Sequence, residues 1–397
     1  MKLLLLIVLG LIVILIYFLF RNSSKNLLFT AILSLLIFYI ILNPQNCISF
    51  TIGGAKLFFN SVFPSLFPFL VIINLIFAFG GIEIYSKFIG KIICAPLGLP
   101  KECSVVLLAS IFCGYPLGAR YASELYELKI INKTTFQRLI NIATNGSPLF
   151  IIGTVGTSML HSTFLGYILI LSNLLSCIIM GLILPGRSNS KKYDTLNASL
   201  AVTSIKPNSP NFGVALKNAL EDATKTCLSI GSFVVIFSVL INIIKSSALY
   251  NTALTTLCIS GLVPYDLIDG LFLGFLEITN GCSILSISTL SLNTKVTLCS
   301  FLIGFSGLSI TSQVYSFVYK YKVSMRKYIT TKFLQGIICA SITFLLLSLP
   351  LAKITQETFL NNHSILPSKT ALLVIPMLLF TLPVILKKFK KILLNFS

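Results

Sequence analysis

Long apolar runs, separated by short segments that carry most of the charge, constrain the fold of this chain more than any other feature. A helix needs about 20 apolar residues to cross the hydrocarbon core of a bilayer. Nine runs approach that length: 3–20, 27–42, 61–84, 138–160, 164–184, 226–244, 296–318, 333–350 and 370–386. Only 10% of the 397 residues are charged, too few for a water-facing surface. The sequence therefore predicts an all-α polytopic membrane protein with about nine transmembrane helices.

The formal net charge of +19 comes largely from the short segments between the apolar runs. On a soluble protein it would suggest nucleic acid as a partner. Here the basic residues lie between apolar runs, which is the pattern that places short loops in the cytoplasm. Examples are the linker 187–211, the C-terminal tail, and a cluster formed by Lys320, Lys322, Arg326, Lys327 and Lys332. We expect a lipid bilayer as a partner and no nucleic acid.

Two further apolar stretches, 104–128 and 267–292, are interrupted by glycine, polar and acidic residues, the first also by proline. The basic segments stay on one side of the membrane only under one condition. The first stretch must enter and leave from the cytoplasm, and the second from outside. The sequence thus predicts two re-entrant hairpins of opposite orientation.

The two halves of the chain follow one order of elements: an amphipathic start, a span, a hairpin and two further spans. Cys94–Pro100 and Cys258–Pro264 each place a glycine and a proline just before a hairpin, at an offset of 164 residues. Such self-similarity indicates internal repeats, here inverted ones. The predicted domains are peripheral helices (1–49), a first repeat (50–186), a cytoplasmic linker (187–211), a second repeat (212–350), and a C-terminal helix with a basic tail (351–397).

Irregular backbone at membrane depth is tolerated only inside protein or around a wet cavity. Breaks at matching positions of two inverted halves therefore point to a transport site. At the first hairpin tip, Gly114, Tyr115 and Pro116 open the helix and free N–H groups that can bind an anion. At the second, Glu277 is an isolated acid, followed by Thr279 and Asn280. Acids at membrane depth usually face a partner or a pathway.

Two spans carry breaks of their own. Asn145, Gly146 and Ser147 precede Pro148, and proline should unwind the span 138–160. Small polar residues there either pack helices or contact a ligand. In the span 296–318, a run of small and polar residues predicts a helix that lines the site; it includes Ser306, Ser309 and Gln313.

Arg120 and Glu277 each have two interpretations. Arg120 lies four residues before Glu124, a spacing that favours an internal ion pair, and the alternative is a cation facing a solute carboxylate. Glu277 could bind a proton, a cation or a solute hydroxyl or nitrogen, or it could form a structural salt bridge with Arg120. The residues alone indicate a small polar solute, with an anion as one option.

The sequence contains no P-loop, HExxH or GxSxG motif and no pair of catalytic acids, so we do not expect an enzyme. The ten cysteines are scattered without a CxxC motif, and His161 and His363 are far apart. We therefore expect neither a metal site nor a cofactor. Homo-oligomerisation stays open.

Four motifs resemble one family: Phe63–Phe69, Gly114–Ala119, Thr144–Phe150 and Leu276–Gly281. They make the chain similar, over residues 50–350, to the sporulation integral membrane proteins of the YlbJ (SpoVV) family. The resemblance implies nucleoside-recognition gate domains. It also implies an architecture similar to that of concentrative nucleoside transporters, with two opposed hairpins and two broken helices.

The same resemblance implies a function. Proteins of this family are expected in the outer forespore membrane of sporulating bacteria, where they move dipicolinic acid from the mother-cell cytoplasm toward the spore. A planar dicarboxylate would suit open backbone N–H groups and Arg120, with Asn145, Thr279 and Asn280 as orienting donors. Two alternatives stay open. One is a transporter of nucleosides or other aromatic solutes, and the other is a non-transporting scaffold for spore assembly.

Overall fold

The computed structural model describes residues 25–88, 90–184, 211–258 and 264–349. The predicted spans 3–20 and 370–386, the tail 351–397 and nearly all of the linker lie outside these residues. Every regular element within them is helical, which confirms the all-α fold. The chain divides into two units between Gly53 and Gly54, and the candidate site belongs to the second.

The first unit contains helix α1 (Lys25–Leu42) and the first part of α2 (Pro44–Leu57). The chain bends by 104° between these helices. Pro44 at the start of α2 suits the bend, because proline is accepted at the first position of a helix and not within one. Most apolar side chains of α1 are exposed, such as Leu35 and Ile41, as expected of a lipid-facing helix.

The rest of the first half consists of seven α-helices, two π-helices and a 3₁₀ turn. The α-helices are α3 (Phe63–Ala78), α4 (Gly81–Phe88), α5 (Gly90–Leu97), α6 (Ser104–Cys113), α7 (Leu117–Glu127), α8 (Lys133–Ile142) and α9 (Thr163–Ile183). The π-helices are Phe58–Val62 and Leu149–Met159, and the 3₁₀ turn is Lys101–Cys103.

The second half repeats this mixture of long and short helices. They are α10 (Phe212–Ser246), α11 (Ala248–Cys258), α12 (Tyr265–Leu276), α13 (Ile278–Ile287), α14 (Leu292–Phe305), α15 (Gly307–Val318) and α16 (Met325–Ser348), with a 3₁₀ turn at Tyr319–Tyr321.

Four segments of the described residues are long and apolar enough to cross a membrane: α9, α10, the stretch from α14 to Tyr321, and α16. The bent pair that begins in α1 would make a fifth. The chain is thus an integral membrane protein, and the number of nine spans stays a prediction. In α9 and in the stretch from α14 to Tyr321, 61% of the residues of the apolar part are buried. In α10 and in α16 the share is 28%. The latter two therefore leave most of their apolar residues outside the protein interior.

Three boundaries differ from those predicted. The amphipathic start at 213–222 and the span 226–244 form one continuous 35-residue helix, α10. The span expected over 61–84 ends at Ala78, because Gly80 takes a φ of +77°. Helix α16 begins at Met325 rather than at 333, since the Ser324 hydroxyl caps it. Hydropathy reports depth in the membrane and not where a helix begins.

Both predicted hairpins are pairs of short helices joined by a break. Helices α6 and α7 flank residues 114–116, and α12 and α13 meet at Glu277, which is extended (φ −151°, ψ 126°). These four helices have 10 to 12 residues. At 1.5 Å per residue they are about 15–18 Å long, too short to cross a core of about 30 Å.

The arms of the second hairpin fold back on each other at glycines. A Cβ atom on Gly281 would overlap the backbone of Gly274, and one on Gly270 would lie 2.8 Å from the Leu285 side chain. The pairs 270–285 and 274–281 are centred on the same point, beside Glu277, as in antiparallel helices. Glycine permits this close approach because it has no side chain to separate the backbones.

Each hairpin tip packs on the break in a later span of the same half. The Tyr115 N–H donates to the Asn145 carbonyl at 2.5 Å. In the second half, a Cβ atom on Gly307 would lie 3.2 Å from the carbonyl oxygen of Gly274. Each half thus has a hairpin tip that packs on a break, while the inverted repeat stays a prediction.

Candidate functional site

The structure confirms both predicted breaks within spans. Helix α8 ends at Ile142, and residues 143–147 are not helical before the chain coils again at Pro148. In the second half, Ser306 (φ +72°) separates α14 from α15, and Gly307 (φ +66°) is the first residue of α15. Such left-handed backbone suits glycine and is unusual for serine.

The tips and breaks surround a cavity of about 80 Å³. This volume admits a handful of water molecules or part of a small solute. The hairpins contribute Cys113, Tyr115, Glu277, Ile278 and Thr279, and the broken spans contribute Ser147, Phe150, Thr154, Ser309, Ile310 and Gln313. The wall is completed by Leu57, Val62, Leu66, Ile230 and Val234.

Six of the predicted site residues line this cavity: Tyr115, Ser147, Glu277, Thr279, Ser309 and Gln313. The other seven do not: Gly114, Pro116, Arg120, Asn145, Gly146, Asn280 and Ser306. Several of these seven shape the backbone instead. Gly114, for example, has a φ of +77°, and a Cβ atom there would lie 2.5 Å from the Ser147 nitrogen. Contact of any of the thirteen with solute stays a prediction.

Two polar atoms of lining residues are buried without a hydrogen-bond partner among the described residues. They are the Tyr115 hydroxyl and the side-chain oxygen of Gln313. The Gln313 amide nitrogen donates to the Ser309 hydroxyl at 3.5 Å. Buried polar atoms are nearly always paired, so an unpaired one indicates an unseen water molecule or ligand. Each half thus contributes to the cavity wall one residue that carries an unpaired polar atom.

The Glu277 carboxylate caps its own hairpin helix, α13. Its Oε1 accepts the N–H of Thr279 at 2.9 Å, and its Oε2 accepts the backbone and side-chain N–H groups of Asn280, both at 2.9 Å. Negative charge is favourable at a helix start. Glu277 is the only residue with a formal charge among the described residues that line the cavity.

Arg120 forms the ion pair within its helix that its spacing favours. Its Nε lies 3.2 Å from Glu124 Oε1, and its Nη1 donates to the Thr226 hydroxyl of α10. Among the described residues, Arg120 has no ion pair with Glu277. Its guanidinium therefore ties the first hairpin to α10.

Sequence analysis missed a polar cluster behind the first break. Lys332 Nζ donates to the Thr144 carbonyl and, at 2.9 Å, to Gln335 Oε1. Lys332 is 1% exposed, so it lies inside the protein and not in the basic loop where it was expected. Its three-residue spacing from Gln335 on one helix was the available signal, since residues so spaced are neighbours.

Asn145 belongs to the same cluster. Its Oδ1 accepts from Cys177 Sγ at 2.7 Å and from Gln335 Nε2 at 3.4 Å, and its Nδ2 donates to the Ile142 carbonyl at 2.9 Å. The side chain is thus engaged in holding the unwound segment, which explains its distance from the cavity wall.

Hairpins that pack on broken spans around a polar cavity characterise an integral membrane protein of transporter-like architecture. Residues 59–184, which include the first hairpin and the first break, match the family Gate, described as nucleoside recognition. The chain is similar to the sporulation integral membrane protein YlbJ of Bacillus subtilis (strain 168), with 26% identity over 82% of this chain and 84% of that protein. Both findings confirm the family resemblance carried by the four motifs. No solved structure matches the chain.

Proposed function

We propose that this protein is a solute transporter whose binding site is the cavity between the two tips and the two breaks. Tyr115 and Gln313 carry the proposal, because both residues line that cavity, come from different halves and keep a polar atom unpaired among the described residues. A buried polar atom costs free energy until it is bonded, and a polar solute supplies the bonds. Hairpins of half-membrane length suit re-entry from opposite faces, which would give each side access in turn.

The first solute we propose is dipicolinic acid, carried from the mother-cell cytoplasm across the outer forespore membrane toward the spore. The similarity to a sporulation membrane protein supports this choice. So does the start of α15, where Ser306 makes no side-chain cap and Ser309, in the first turn, lines the cavity. The partial positive charge of a helix start attracts a carboxylate.

A nucleoside is the second candidate, because a different observation favours it. Glu277 would repel a dicarboxylate but would accept hydrogen bonds from a sugar hydroxyl or a ring N–H. The description of the matching family as nucleoside recognition points the same way.

Uptake of labelled dipicolinate and labelled uridine into separate proteoliposomes tests the proposal. We expect the wild type to carry dipicolinate. The uptake rate of the double variant Tyr115→Phe/Gln313→Leu should be lower by roughly tenfold or more. Each lost hydrogen bond is worth about 0.5–1.5 kcal/mol. Tyr319→Phe, at a tyrosine 55% exposed, is the matched control and should not change uptake.

Three outcomes separate the alternatives. Uptake of uridine without dipicolinate would select the nucleoside candidate. Uptake of neither solute by folded protein would overturn the transport proposal for both candidates. If the double variant then still supported spore formation in cells that require the protein, the scaffold would be favoured.

A further inference from the structure

Lys332 is a buried lysine without an acidic partner among the described residues. The ion pairs found there are Lys101–Glu102, Arg120–Glu124 and Lys217–Glu221. Lys332 lies in α16, which is long and apolar enough to cross a membrane. An ionisable group in such a place is costly, and it is usually part of a functional pathway.

The Thr144 carbonyl is available to Lys332 because the helix breaks there. In a continuous helix the Thr144 carbonyl would accept the N–H of residue 148, but that residue is Pro148 and has no N–H. The Lys332 ammonium supplies the missing donor. Ser147, three residues beyond Thr144 in the same non-helical segment, lines the cavity.

The groups that face the ammonium are neutral. Cys177 of α9 and Cys339 of α16 are its titratable neighbours. Tyr328 of α16 donates to the Thr144 hydroxyl at 3.1 Å, and α14 contributes the Ser300 hydroxyl, which bonds to Cys339. Arg138 of α8 donates instead to the carbonyls of Leu97 and Gly98. Within the described part of the chain, the charge on Lys332 is thus held by dipoles.

We propose that Lys332 is the proton-binding site that couples this transporter to a proton gradient; the inference rests on the proposed function. With its proton, the ammonium holds the Thr144 carbonyl and Gln335, and the break beside the cavity stays in place. Without it, the neutral amine is a weaker donor, because a charged donor forms the stronger hydrogen bond. The break is then released.

Accumulation of dipicolinate, and separately of uridine, in proteoliposomes clamped at zero membrane potential tests the coupling. With a gradient of one pH unit, we expect the wild type to approach about tenfold accumulation, the limit for one proton per solute. The result should be the same in Na⁺ and in choline. Lys332→Met and Lys332→Arg should equilibrate solute without accumulating it. Lys295→Met is the matched control, because Lys295 also donates to a carbonyl, that of Ser286, at 3.1 Å.

Full accumulation by Lys332→Met, or coupling to Na⁺ instead of protons, would overturn the inference and leave the proposed transport function intact. Uptake of neither solute by the wild type would overturn the transport function, and the coupling with it.

Thermal unfolding of Lys332→Ala tests the ammonium site without any solute. Ethylammonium should raise its unfolding temperature and leave that of the wild type unchanged, because it brings N–H donors to Thr144 and Gln335. Tetramethylammonium has no N–H and should have no effect. If Lys332→Ala is folded but its unfolding temperature does not respond to ethylammonium, the proposed ammonium site is contradicted.

Discussion

The backbone N–H of Tyr115 donates to the carbonyl of Asn145 at 2.5 Å and joins the tip of the first hairpin to the break of a later span. Gly114 and Gly118 permit this approach, because a side chain at either position would meet the backbone of the break. The tip therefore cannot move far without moving the break. Since Tyr115 and Ser147 both line the cavity, the two elements that would bind solute move together.

Gly118→Ala should destabilise the protein strongly. Its Cβ would overlap the Ala143 carbonyl oxygen, and backbone cannot yield as a flexible side chain can. We expect a loss of about 1–3 kcal/mol or more, measured by thermal unfolding in detergent. Gly153→Ala is the control, because its nearest atom, Leu149 Cδ1, lies 3.5 Å away. Equal losses in both variants would contradict the packing of tip on break.

Tyr115→Phe and Tyr121→Phe should differ in their effects on stability. The Tyr115 hydroxyl has no partner in the part of the chain that the structure describes, so its removal should leave stability unchanged or raise it. The Tyr121 hydroxyl donates to Asn74 Oδ1 at 3.2 Å, and its removal should cost about 1 kcal/mol or more. Unfolding temperatures of the two purified variants decide this. A clear loss in Tyr115→Phe would mean that the hydroxyl has a partner within the protein.

Glu277→Gln should weaken the second hairpin. An amide retains one acceptor for Thr279 or Asn280 but loses the charge that favours a helix start. We expect a loss of about 1–2 kcal/mol in thermal unfolding, and faster hydrogen exchange at residues 278–281. The outcome against this prediction is unchanged exchange there, which would show that the carboxylate does not cap the helix.

Arg120 and Thr226 should be energetically coupled. A double-mutant cycle with Arg120→Met and Thr226→Val should give an interaction free energy of about 0.5–3 kcal/mol, because the two side chains are in direct contact. The apparent KM for solute should not change in Thr226→Val. A large rise in KM for Arg120→Met without loss of stability would instead support the alternative in which Arg120 faces the solute.

Local chemistry made the breaks and the hairpins predictable. Gly114 and Pro116, the stretch from Asn145 to Pro148, and Gly307 all oppose a continuous helix, and the chain breaks at each place. The ion pair of Arg120 with Glu124 was predictable for a similar reason, since its spacing on a helix sets its distance.

Contacts between distant residues were not predictable in this way. Lys332 looks like one more basic residue at a membrane boundary, and its bond to Thr144 spans 188 positions. The bond between Arg120 and Thr226 spans 106. Of the interpretations left open for Glu277, the salt bridge with Arg120 is not found among the described residues, where each of the two finds partners nearer in the chain.

The sequence by itself determined a helical membrane chain with two interrupted hairpins and two broken spans, because apolar length and the backbone preferences of glycine and proline act locally. Only the tertiary structure decided which polar side chains meet the cavity and which meet each other. Buried polar atoms take whichever partner the packing brings near, and packing depends on residues far apart in the chain. For that reason Gln313 keeps an unpaired oxygen at the cavity while Asn145, equally polar, is fully engaged behind it.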